Sequence, residues 1–119
     1  MPTPYQLCFV SVGDENTASL ISQSLVEKKL AACVSVIGNV SSCYRWQGKV
    51  EKSPEFLLII KTRKNLLEDV LQFVKRNHTY TVPEILFLDI ENGNKEYLDW
   101  LGANTLFTTN IPNDKTAKK

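Results

Sequence analysis

The segment Phe56–Ile60, FLLII, is apolar at five consecutive positions. Side chains of a strand point alternately to opposite faces, so such a run makes both faces apolar. Leu7–Val10, LCFV, and Ile85–Leu88, ILFL, do the same. An antiparallel sheet with one wetted face alternates apolar and polar residues instead. These strands therefore demand cover on two sides. A chain of 119 residues can build one domain with a real core. It has too little left over for a further layer, and the simplest cover for the second face is another copy of the chain.

The rest of the chain supplies one layer of helices. Leu7–Val12 ends at Gly13, and Asp14 is placed to cap a helix carrying Ala18, Ile21 and Leu25 at helical spacing. Ala31–Ile37 is a second strand, kinked at Gly38-Asn39 and resuming to Trp46, with Ser42, Tyr44 and Trp46 on one side. Gln47-Gly48 is a tight turn into a third strand, Lys49–Thr62, in which Pro54 requires an edge or a bulge. A second helix spans about Asn65 to Arg76, with Leu67, Val70, Leu71 and Val74 as its apolar stripe. A fourth strand, Ile85–Ile90, follows, and Asn94 caps a short helix with Tyr97, Trp100 and Leu101. The order β-α-β-β-α-β plus a short C-terminal helix is the split βαβ, or ferredoxin-like, pattern of the α+β class. The domain is expected to occupy residues 1–103, with 104–119 a polar, mostly mobile tail whose Leu106, Phe107 and Ile111 could dock elsewhere.

The totals exclude several functions. Fourteen basic and thirteen acidic residues leave a formal charge of +1. That is no footprint for nucleic acid or an anionic membrane. No apolar run reaches membrane-span length, and the first residues lack the basic and small-residue features of a signal peptide. Cys8, Cys33 and Cys43 form no CxxC pair, which points to a reducing compartment and a cytoplasmic location.

Five segments occur in order: LAACV at Leu30–Val34, SCYRWQGKVE at Ser42–Glu51, IIKT at Ile59–Thr62, HTYTVPEIL at His78–Leu86 and YLDWL at Tyr97–Leu101. Together they resemble the CutA family of divalent-cation tolerance proteins, over Leu7 to Leu101. The resemblance implies a ferredoxin-like subunit, a trimer similar in architecture to the PII signalling proteins, and a part in copper or other metal homeostasis without an established catalytic activity. In animal relatives it implies a link to the anchoring of acetylcholinesterase. The copper site proposed for bacterial members uses a strand cysteine and two adjacent histidines. Those positions fall here on Val10, Asn77 and His78, with Cys8 two residues before Val10 on the same strand face.

His78 is the only histidine. It is a candidate ligand for copper or another divalent metal, with Cys8 as the second. Alternatively it serves the end of the second helix. Cys33, Tyr44, Trp46, Lys61, Tyr80 and Glu84, with His78, form a candidate pocket at a subunit boundary, suited to a small anion or metabolite. A Glu84–Lys61 salt bridge is the plainer reading of those two residues. Tyr44, Trp46 and Trp100 are candidate interface anchors.

The leading expectation is a homotrimer that binds divalent metal weakly and needs no organic cofactor. The alternatives are a PII-like small-ligand sensor or interaction scaffold, and an enzyme using Cys33 and His78 as nucleophile and base.

Overall fold

The computed structural model describes residues 3–107. Eight elements run in the order β1 (Tyr5–Val12), α1 (Glu15–Glu27), β2 (Cys33–Trp46), β3 (Lys49–Arg63), a 3-10 turn (Lys64–Leu66), α2 (Leu67–Asn77), β4 (Ile85–Asp89) and α3 (Lys95–Ala103). The strands form one antiparallel sheet in the order β2-β3-β1-β4, the ferredoxin-like arrangement. The second helix thus begins two residues later than its sequence signals suggest. Asn77 closes it with a side-chain hydrogen bond to the Phe73 carbonyl, 2.9 Å.

One face of the sheet holds the core. Cys8, Val10 and Val12 of β1 and Leu58 and Ile60 of β3 meet Ala18, Ile21 and Leu25 of α1 and Val70, Phe73 and Val74 of α2. Period 2 on the strands and period 3.6 on the helices put these residues on facing surfaces. Asp14 caps α1 as expected. Its Oδ2 accepts from the Thr17 backbone N–H at 2.9 Å, and its Oδ1 accepts from the Thr17 hydroxyl at 2.8 Å. The backbone bond first, and the hydroxyl second, hold the Asp14 carboxyl below its usual range. A carboxylate lowered by folding stabilises above its unfolded pKa, about 4, and that contribution fades as pH falls through the folded value. Asp14→Ala should therefore lower the urea midpoint at pH 7. The gap to wild type should close below about pH 4, a pattern that urea melts across that range would check.

The open face repeats the apolar theme. Register puts Leu88, Leu7 and Lys61 in one row and Leu86, Phe9 and Ile59 in the next, with Leu57 and Ile37 adjoining. Leu86 and Leu88 are 53% and 47% exposed. The short helix α3 lies toward the end of this face where Cys33, Lys61 and Arg63 stand. Arg63 donates to the Gly102 carbonyl at 2.8 Å and to the Thr105 hydroxyl at 2.9 Å.

A one-residue bulge between Ile37 and Val40 decides what joins the open face. Asn39 takes a left-handed φ of 59° there. The bulge shifts the alternation of β2, so Val40, Ser42, Tyr44 and Trp46 continue the face that carries Ile37. Gln47 and Gly48, with φ of 50° and 80°, then turn the chain back. β3 pairs with β1 only from Phe56 onward, so Lys49–Glu55 has β2 on one side and a free edge on the other. Pro54 lies within that free-edged stretch, which tolerates its missing N–H.

Just past α3 the chain stays attached to the domain. Thr105 is buried, and the Leu106 N–H donates to the Lys29 carbonyl at 2.9 Å while its side chain packs on the core. The chain beyond 107, including Ile111, lies outside the described residues.

Candidate functional site

The stretch from His78 to Glu84 returns the chain from α2 to β4. Pro83 favours an extended backbone at Val82 and so sets the entry to β4. His78 is the first residue after α2. Its Nε2 lies 2.7 Å from the Ser11 carbonyl oxygen, and its Nδ1 accepts from the Tyr80 N–H at 3.0 Å. A carbonyl can only accept, so Nε2 carries the proton. Both ring nitrogens are thereby engaged, and the ring ties the loop to β1.

Cys8 does not join it. The thiol is fully buried in the core, and that burial pushes its pKa up to about 12. Metal ligation requires a thiolate. His78 and Cys8 therefore do not form a ready metal site. No group of three or more His, Cys, Asp or Glu side chains is gathered for an ion among the described residues.

The residues expected to line one pocket divide into two groups. Lys61 Nζ donates to the Ser35 hydroxyl at 2.6 Å and lies 3.7 Å from Cys33 Sγ. The Tyr97 hydroxyl also meets Cys33; burial first, and the cysteine after it, raises the Tyr97 pKa. Cys33 and Lys61 thus sit under α3, and Cys33 and His78 are held by different partners. Nor does Lys61 pair with Glu84, which instead accepts from the Ser11 hydroxyl at 3.1 Å. Trp100 is 44% exposed on α3 and packs, tilted, against Tyr97 at 5.5 Å between ring centroids.

The other group lines a cavity of about 810 Å³ where the long hairpin leaves the sheet. Tyr44 and Trp46 wall it from β2, and Tyr80 and Glu84 from the loop, with Ser11 and Glu55 beneath. The Tyr80 hydroxyl donates to Glu55 Oε2 at 2.7 Å. Burial, and then this bond to a carboxylate, hold the Tyr80 phenol above its usual range. Gly13 makes room for the ring, because a Cβ there would stand 2.7 Å from the Tyr80 hydroxyl.

Glu55 and Ser11 are absent from the sequence-derived site. Glu55 reads there as one charge on a polar stretch of strand. Its place follows from the bulge register, which pairs it with Val40 and puts it on the face of Tyr44 and Trp46. The signal that could have found it is Pro54. A proline confined to a free edge marks where the hairpin leaves the sheet, and Glu55 is the next residue.

Comparison with known proteins adds a separate line of observation. Residues 6–104 match the family profile described as CutA1 divalent ion tolerance protein. The chain is 45% identical over 100 residues to the divalent-cation tolerance protein CutA of Thermus thermophilus, covering 84% of this chain and 97% of that one. It is 42% identical over 102 residues to the chloroplastic protein CutA of Arabidopsis thaliana, covering 86% of this chain and 56% of the relative. The chain thus spans just over half the length of that plant protein. The crystal structure of CutA1 from Oryza sativa superposes with a TM-score of 0.86 at 40% identity, over 90% of this chain and 98% of that one.

Proposed function

The chain belongs to the CutA1 divalent ion tolerance family, and on that premise we propose that it is a trimeric protein of copper and divalent-metal homeostasis that touches metal weakly and catalyses nothing. The observation that carries this reading is the state of His78. Both of its nitrogens are already hydrogen-bonded, and Cys8 is locked in the core. A metal would have to break an existing bond to reach the ring, and a single imidazole is a poor site without further ligands. Tight sequestration is disfavoured, and transient contact is what remains. The different partners of Cys33 and His78 disfavour the enzyme alternative built on that pair, because a nucleophile–base pair requires mutual contact. The apolar open face and the free edge of β3 support the trimer. Three free cysteines suit the reducing cytoplasm.

Anaerobic calorimetric titration of copper(II) into wild type and His78→Ala tests the metal role. We expect a dissociation constant no tighter than about 1 μM, near −8 kcal/mol, and a clear loss in the variant. Tight stoichiometric binding, unchanged by the substitution, would overturn it.

A second reading follows from a different observation, the cavity under Tyr44 and Trp46. Its size and aromatic walls are those of a small-molecule site. A sensor of a small ligand, on a PII-like trimer, is the function that such a site would serve.

A further inference from the structure

Beyond the bulge the hairpin is a two-faced arm. Residues directly opposite on paired strands share a face. Tyr44 with Glu51, Trp46 with Lys49, and Val40 with Glu55 therefore lie on the front, which continues the open face. Cys43 with Lys52, and Arg45 with Val50, lie on the back. All four of these back residues are exposed, so no helix covers this side. The charges are sorted between the two faces. The front gathers Glu51 and Glu55, with Glu84 on the same lining as Glu55, against Lys49. The back carries Lys52 and Arg45 and no acidic residue, although Arg45 also edges the cavity of its own chain.

Glu55 is what the single chain leaves unfinished. It is only 7% exposed, and its side chain accepts from the neutral Tyr80 hydroxyl. Among the described residues the ion pairs are Lys64–Asp89 and Lys95–Asp99, so neither Glu55 nor Lys52 is paired within its own chain. Assembly buries the front further, and a buried carboxylate is stable beside a cation and costly without one. Symmetry decides where the cation comes from. A two-fold contact of fronts sets an acidic face against itself, whereas a ring sets one face of each chain on a different face of the next. Front on back brings opposite charges together and lays Cys43 and Val50 against the rings of Tyr44 and Trp46. We propose that in the trimer the back of each hairpin lies on the front of the next, with Lys52 of one chain beside Glu55 of its neighbour. The proposal rests on the trimeric reading, and it gives to a neighbouring chain the cavity that the second reading gives to a small ligand.

A double-mutant cycle on the full chain tests it. Wild type, Lys52→Gln, Glu55→Gln and the double variant are diluted in mild urea while light scattering follows the mass. Gln at position 55 keeps an oxygen that accepts from Tyr80 and loses only the charge. Each single change should raise the dissociation constant of the trimer about tenfold or more. The double variant should dissociate no more readily than the weaker of the two singles. Lys52 and Glu55 stand on opposite faces of one hairpin, so coupling between them comes from contact between chains. Far-UV circular dichroism shows whether each variant is folded, and Glu51→Gln, exposed on the same front, replaces Glu55→Gln if the latter is not. Independent effects of the two changes, or no effect of either, in a protein that still forms trimers would overturn the front-on-back contact and leave the trimer standing. A wild type with the mass of a single chain would remove the trimeric reading and this contact with it.

Discussion

On the proposed trimer, Leu86→Lys should separate the subunits while leaving each one folded. Leu86 is 53% exposed in the single chain, on the open face beside Phe9. Substitution at a position so exposed ordinarily changes subunit stability by no more than about 0.5 kcal/mol. In a seam between apolar sheet faces the same lysine becomes a buried, unpaired charge, which costs several kcal/mol. Symmetry places that cost in every subunit at once. Light scattering should report the mass of a single chain for the variant and of three chains for the wild type, with far-UV circular dichroism the same for both. A variant that stays trimeric at the same concentration would remove the open face as the seam. The trimer would then have to be built on the hairpin and the free edge of β3 alone.

The same face shows where sequence suffices and where it stops. The two-sided apolar strands are legible because alternation is a local property: FLLII cannot be read as half-wetted in any register. The Asp14 cap and the Gln47-Gly48 turn are local too, each needing only a few neighbouring residues. The placement of Tyr44 and Trp46 on the open face is not. It depends on one extra residue at the bulge, and a bulge at Gly38-Asn39 or a plain bend there would send them to opposite sides. The candidate pocket divides for the same reason. Cys33 and Lys61 share the open face with Glu55 and Glu84 but lie at the other end of it, and sequence carries the face without the distance along it. His78 is a third case. Its chemistry is plain from its type, but the two bonds that occupy it come from Ser11 and Tyr80, one of them 67 residues away.

Ile60→Ala should do the reverse of Leu86→Lys. Ile60 is fully buried on the helix face, opposite Cys8 on one side and Val34 on the other. Its neighbour Ile59 points to the open face and keeps some exposure. Truncating Ile60 removes buried methyl and methylene groups and leaves a cavity between β3 and the two helices, at a cost of about 2–5 kcal/mol. That is a large share of the 5–15 kcal/mol typical of a domain. The urea midpoint should fall sharply at fixed protein concentration, while light scattering in native buffer still reports the wild-type mass, because no seam residue has changed. Ile59→Ala should do less to the subunit and more to the assembly. The contrast between two adjacent isoleucines tests the register of β3 itself. A one-residue slip would exchange the two faces along the whole strand, so Ile59→Ala would become the destabilising change and Ile60→Ala the dissociating one.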